Sequence, residues 1–218
     1  MEIKYEDINA VRNSDLSLIA HRITPKDYID PTEAYKFGSL IDAMLTTPVK
    51  VNFITKKCNG IAYDTDKFNL AYKMYKELIS NDLYRNFTAN ATYQKVVTDE
   101  VTLFYKNPYA IAGNGIEFSI KRKGLLDIYK PNIIADFKST VATSQSQLIS
   151  LIDWFDYDRQ GAWYMDIAKV DTFVIIAISK VNQKIFRHTI KKGDEMYLRG
   201  VQKYTQLAYW WHVFNSVN

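Results

Sequence analysis

The chain has 218 residues, of which 47% are hydrophobic and 24% charged, with a formal net charge of +4; this is the composition of a globular protein long enough to bury a sizeable core. No apolar run approaches the roughly 18 to 20 residues that cross a bilayer, and the opening Met1-Glu2-Ile3-Lys4-Tyr5-Glu6 lacks a signal-peptide core, so a cytoplasmic protein without a membrane partner is expected. The lone Cys58 excludes internal disulfides and iron-sulfur clusters, while the small net charge names no partner, although Lys121-Arg122-Lys123 and Lys191-Lys192 would tolerate a polyanion.

In chain order, the first third is helical in pattern. Asn13-Ser14 can cap a turn holding Leu16, Leu18 and Ile19, and a second helix is expected from Thr32 to Leu45, stopped by Pro48. Phe68, Tyr72, Tyr75, Leu78 and Ile79 line one face of a third. From about Tyr93 the pattern becomes β-rich, with runs at Val96-Val97, Val101 to Tyr105, Ile116 to Ile120, Leu125 to Tyr129 and Ile133 to Phe137. Asn107-Pro108, Gly113-Asn114-Gly115 and Pro131-Asn132 punctuate them. A helix fits Trp154 to Ala168, strands fit Thr172 to Ser179 and Lys184 to Thr189, and a last helix fits Asp194 to Phe214. With no repeat or linker-like tract, residues 1–218 read as one α/β domain, helical over about 1–90, with a central mixed sheet flanked by helices over about 91–218.

The chemistry concentrates in Gly124 to Lys138. Asp127 and Asp136 sit on neighbouring strands joined by a short turn, where they can face each other across a hairpin. Asp136 and Lys138, two apart, project from one strand face while Phe137 turns to the core. Such a carboxylate pair suits Mg²⁺ or Mn²⁺, which favour oxygen ligands and lower the pKa of a bound water. Lys138 beside it can orient that water or stabilise the transition state. Taken alone, the triplet reads more readily as a solvated ion-pair face.

Two further segments change that balance. Tyr35-Lys-Phe37-Gly38-Ser39-Leu40-Ile41-Asp42-Ala-Met-Leu45, Gly124 to Thr140, and Tyr157-Asp-Arg-Gln160-Gly-Ala-Trp-Tyr164 occur in the order and spacing of the PD-(D/E)XK nuclease superfamily. The chain resembles in particular its phage recombination branch, the RecE or exonuclease VIII-like and lambda-exonuclease-like enzymes. The resemblance covers the layout of residues 5–214, and Asp15-Leu-Ser-Leu-Ile with Pro25 is similar to that branch's N-terminal segment.

That resemblance implies a restriction-endonuclease-like core and a Mg²⁺- or Mn²⁺-dependent deoxyribonuclease. Asp127, Asp136 and the Phe137 backbone carbonyl would ligate the metal, Lys138 would be the catalytic lysine, and Gln160, also catalytic, would contact the nucleotide with Tyr164 one turn on. Asp42 stands where the branch usually has His, and is expected as a further ligand; a polar residue on an amphipathic helix is its plainer alternative. Lys121, Arg122 and Lys123 would contact DNA.

The implied activity is exonucleolytic hydrolysis of linear duplex DNA from its ends, 5′ to 3′, in phage-type recombination, by a ring-shaped homo-oligomer that hands single strands to an annealing protein. A structure-specific or restriction-like endonuclease, and a non-catalytic DNA-binding scaffold, are the alternatives. His21, His188 and His212 have no ligand-like spacing. The aromatic run Tyr204, Tyr209, Trp210, Trp211 and Phe214 fits a packing helix, with a subunit interface or base-stacking surface as the alternative.

Overall fold

The computed structural model of the protein describes residues 4–24, 32–106 and 115–216. The turns expected at Asn107-Pro108 and Gly113-Asn114, and the Pro25 segment, lie outside them. Helix α1 spans Asn13–Ile23, opened by Arg12 and Asp15 rather than by Asn13-Ser14: the Arg12 backbone N–H donates to Asp15 Oδ2 at 2.8 Å. Helix α2 is Thr32–Thr46. Helix α3, Thr65–Ser80, is capped by Asp64, which accepts from the Asp66 and Lys67 N–H groups. It buries Phe68, Ala71, Met74 and Leu78, so the expected Tyr72 and Ile79 lie on its exposed flank. A short α4, Asp82–Thr88, follows. Between α2 and α3 lies a small antiparallel sheet of β1 (Val51–Asn52), β2 (Lys57–Cys58) and β3 (Ile61–Ala62). Two-residue strands carry no alternation that a sequence could display.

The central sheet has the order β4 (Thr92–Tyr105), β5 (Ile116–Lys130), β6 (Ile133–Thr140), β7 (Thr172–Ser179) and β8 (Ile185–Lys191). Neighbours are antiparallel except β6 and β7, which run parallel, so the sheet is mixed as expected. The two short runs expected on either side of residue 99 are one long strand, and Lys121-Arg122-Lys123 lies inside β5. Helices α5 (Gln145–Trp154) and α6 (Tyr157–Ala168) form the β6 to β7 crossover, and α7 (Glu195–Ser216) closes the chain. The helix expected from Trp154 to Ala168 is α6, which starts at Tyr157 because Asp156 takes a left-handed conformation (φ +54°); the preceding helix α5 was not expected.

Strand β7 shows why the sheet is sandwiched. Its run Thr-Phe-Val-Ile-Ile-Ala-Ile-Ser is apolar on both faces, which a strand covered on both sides requires. Phe173, Ile175 and Ala177 join a core shared with α1, α5, α6 and α7, while Val174, Ile176 and Ile178 join one shared with α2, α3 and α4. Two glycines let the first layer approach closely. A Cβ on Gly161 of α6 would lie 2.5 Å from the Phe173 ring, and one on Gly200 of α7 would lie 2.3 Å from the Asp158 carbonyl oxygen. No helix of the described residues is long and apolar enough to cross a membrane.

Candidate active site

Strands β5 and β6 pair only through Ile128↔Ala135, Tyr129↔Ile134 and Lys130↔Ile133, then part. The next opposed positions are Asp127 and Asp136, where the ladder has ended. On its other edge, β5 pairs β4 at Leu126↔Lys95 and Ile128↔Tyr93, skipping Asp127 opposite Gln94, whose φ is +50°. Leu126 packs into the α6-side core and Ile128 into the α2-side core, so β5 changes face across Asp127. This left-handed break frees Asp127 from both ladders, and its carboxylate takes the place of a strand: Asp127 Oδ2 accepts the Phe137 N–H at 3.2 Å. A strand residue directs its N–H and C=O to the same edge, so the Phe137 carbonyl faces the same opening.

Asp136 and Lys138 project from β6 toward α6. Asp136 is 5% exposed. Its Oδ1 accepts from Gln160 Nε2 at 2.9 Å, and Lys138 Nζ lies 2.5 Å from its Oδ2. That second contact is a close ion pair, and Lys138 is the one partner of buried Oδ2 among the described residues. Burial alone would lower the Lys138 pKa, but Asp136, Tyr157 and Asp127 outweigh it and hold the ammonium above its ordinary value. Lys138 is therefore a fixed cation. It can donate a hydrogen bond and neutralise negative charge.

Helix α6 supplies the wall behind this pair. Tyr164 interacts with Gln160 through its hydroxyl, and burial raises its pKa. The ring fits because Gly124 has no side chain; a Cβ there would come within 3.0 Å of it. The expected i,i+4 partnership of Gln160 and Tyr164 is thus a shared face turned to β5 and β6.

Asp42 approaches from the opposite layer, on α2. Its Oδ1 is 3.5 Å from Gln94 Nε2, a stretched contact, and its backbone carbonyl accepts the Thr46 hydroxyl. Burial first, then the negative charge of Asp136, pushes the Asp42 carboxyl up to about 6. Asp127 is also held well above the usual carboxylate range, by burial and then by Asp136 and Asp42. Three acids thus repel one another across the opening, and Lys138 offsets part of that repulsion.

Among the described residues no three His, Cys, Asp or Glu side chains are close enough to form a ready metal cage. The donor chemistry nevertheless fits a hard divalent cation. Two carboxylates and a carbonyl line one opening, and added positive charge would relieve the repulsion among its acids.

The basic triplet needs correction. Arg122 is 3% exposed, clamped to Asp99 at 2.9 and 2.6 Å beneath Trp163 and Tyr204. Lys123 is 5% exposed and donates to the Tyr5 and Ile8 carbonyls. Both are structural cations, removed from any DNA surface by the N-terminal segment and the α6–α7 layer; Lys121 alone is exposed. His188 packs near Met196 and His212 against Phe118, away from the opening on β8 and α7, with His21 on α1. Tyr204 donates to Asp166 and Tyr209 stacks on Tyr105 at 4.5 Å, so these two aromatics of α7 pack.

Sequence reasoning missed Gln94, the hinge behind Asp127 and contact of Asp42; an isolated Gln inside a β-rich run gives no signal of a positive φ. It also gave no role to Tyr157, whose ring centroid lies 4.7 Å from Lys138 Nζ, although its i,i+3 spacing to Gln160 was legible.

No protein-family model matches the sequence, and no curated protein matches it. Among solved structures, a candidate exonuclease from Eubacterium rectale matches 99% of this chain and 88% of its own, at 14% identity and a TM-score of 0.64. A phage-related exonuclease from Haemophilus somnus 129PT matches 96% of both chains at 15% identity, with a TM-score of 0.44. An alkaline exonuclease from Laribacter hongkongensis matches 96% of this chain and 95% of its own at 9% identity, with a TM-score of 0.34. The first likeness shows a shared fold, an α/β sandwich about a central mixed sheet. The other two are too loose to add to it.

Proposed function

We propose that the protein is a divalent-metal-dependent deoxyribonuclease acting at the β5–β6 opening. The observation that carries this reading is the convergence of Asp127, Asp136 and Lys138 with Gln160, whose amide is 2.9 Å from Asp136. Four residues from three elements meet where two strands part. A solvated ion-pair face would not bury Asp136 or aim a helix glutamine at it.

Asp127, Asp136 and the Phe137 carbonyl would hold Mg²⁺ or Mn²⁺, with Asp42 as a further ligand from α2. Once bound, that ion supplies a lowered water pKa and charge neutralisation at the phosphate. The chain's own contribution is electrostatic and positional. Lys138, kept protonated, stabilises charge developing on the phosphate oxygens. Gln160 fixes the Asp136 rotamer through Oδ1, and Tyr164 seated on Gly124 fixes Gln160. Lys121, the exposed member of the basic triplet, would be the one left to contact DNA. The finer reading, supported by the sequence resemblance alone, is 5′ to 3′ exonuclease action on linear duplex ends by a ring-shaped oligomer working with an annealing protein.

Purified protein with Mg²⁺ is expected to degrade linear duplex DNA and spare a covalently closed circle. Nicking of the circle would replace the exonuclease by an endonuclease. No cleavage of either substrate, together with no Mg²⁺ or Mn²⁺ binding by calorimetry, would overturn the enzyme reading. It would leave a DNA-binding scaffold, the alternative that the lack of a ready three-acid cage favours.

A further inference from the structure

The elbow between α5 and α6 presents aromatic rings beside the lysine of the opening. Phe155 is 53% exposed, and its ring lies 5.6 Å from that of Tyr157 with 26° between planes. Tyr157 in turn lies over Lys138 Nζ at 4.7 Å. This apolar ring is half open to solvent, one step from the partly buried Lys138 ammonium.

The elbow is also rigid. Asp156 holds a left-handed conformation that non-glycine residues adopt only when their surroundings enforce it. Lys203 of α7 enforces it, reaching Asp156 Oδ1 at 2.8 Å and Asp158 at 3.1 Å, while Arg199 holds Asp158 at 2.6 Å. The same two cations also reach Asp153, at 3.3 and 3.5 Å, so they offset part of the negative charge of the elbow's three acids. An aromatic pair held open beside a phosphate-stabilising cation matches the layout of a nucleotide: phosphate on the lysine, base on the ring.

We propose that Phe155 and Tyr157 form a stacking shelf for an unpaired nucleobase of the strand whose phosphate lies at Lys138. This rests on the nuclease reading for the position of the phosphate. A base stacks on a protein ring only if it has left its own stack, so the shelf selects a nucleotide already separated from its complement. Stacking tolerates every base, so the preference is for an unpaired end and not for a sequence.

The test pairs Phe155→Ala and Phe155→Tyr with substrates carrying one abasic residue at successive positions from the cleaved end. For the natural chain, one abasic position should lower kcat/KM about 5- to 100-fold, the range of one lost base–aromatic stack. Phe155→Ala should lower cleavage of the intact substrate by a similar factor and lose sensitivity to that abasic position; Phe155→Tyr should keep both. Independently, 2-aminopurine at the same position should be quenched on binding in Ca²⁺, and Phe155→Ala should abolish the quenching. Full abasic sensitivity in Phe155→Ala, or unchanged quenching, would overturn the shelf. If the natural chain cleaves no DNA, the nuclease reading fails and the quenching alone decides the shelf. Phe155 is exposed, so its variants should keep the natural thermal midpoint.

Discussion

The two walls of the β5–β6 opening are built differently. On the α6 side, Gln160 holds Asp136 at 2.9 Å, Tyr164 fills the space left by Gly124, and Gly161 seats the helix directly on Phe173. On the α2 side, Asp42 touches Gln94 at 3.5 Å and carries a carboxyl pushed up to about 6. One wall is locked by close packing, where a shift of a few tenths of an ångström meets another side chain. The other leans across the gap, its charge only partly compensated. Under the nuclease reading, charge is fixed where the reaction would need a constant geometry, and left adjustable where a ligand would complete it.

The strongest way to break this comparison is to remove the fixed charges. Asp136→Ala and Lys138→Ala should each lower kcat by about 10³-fold or more, since transition-state charge loses a preorganised partner. Circular dichroism should show the fold retained. Nuclease activity within tenfold of the natural chain in both variants would mean that the opening is not the reaction centre.

Next in size is the wall itself. Gln160→Ala should cost roughly 10- to 100-fold in activity, the usual effect of losing a group that orients a ligand. Gly161→Ala tests the same wall from behind: its Cβ would sit 2.5 Å from the buried Phe173 ring. Overpacking of this kind costs about 1–3 kcal/mol, which a denaturant melt would resolve. If the helix is what aims Gln160, activity should fall with it at temperatures where the variant remains folded. A Gly161→Ala enzyme that is destabilised yet fully active would show that Gln160 does not depend on the seating of α6.

What the sequence made legible divides along the same line. Strand alternation puts Asp136 and Lys138 on one face and i,i+4 spacing puts Gln160 and Tyr164 on another, but their choice as a site rests on the resemblance. Strand β7 was readable because its apolar run admits no exposed face. Arg122 and Lys123 misled because three consecutive cations look like a solvated turn. Only the pairing of Arg122 with Asp99 beside Trp163 and Tyr204, and the Tyr5 and Ile8 carbonyls that receive Lys123, turn them into core groups. The break at Phe155-Asp156 was hidden for a related reason: α5 and α6 are both amphipathic, and the left-handed Asp156 is held by Lys203, 47 residues away in sequence. The small β1–β3 sheet and the Gln94 hinge have no periodic signature at all. Non-local contacts, rather than weak propensities, set the limit.

The smallest expected effect lies at Asp42, and it sharpens the comparison most. If the α2 wall is adjustable, Asp42→Asn should lower activity at saturating Mg²⁺ by about tenfold or less, no more than the lower bound of the roughly 10- to 100-fold usual when a group that tunes a metal is changed. The larger change should be in the metal concentration needed for half-maximal activity. Asp42→His removes one of the three mutually repelling charges and offers an imidazole nitrogen in place of an oxygen. Imidazole suits transition metals better than Mg²⁺, so this variant should shift the preference from Mg²⁺ toward Mn²⁺, read from parallel titrations of initial rate. Asp42→Asn falling as far as Asp136→Ala would show instead that the α2 wall is as fixed as the other. An unchanged metal titration in both Asp42 variants would remove Asp42 from the ligand set and leave it as a polar residue of α2 facing Gln94.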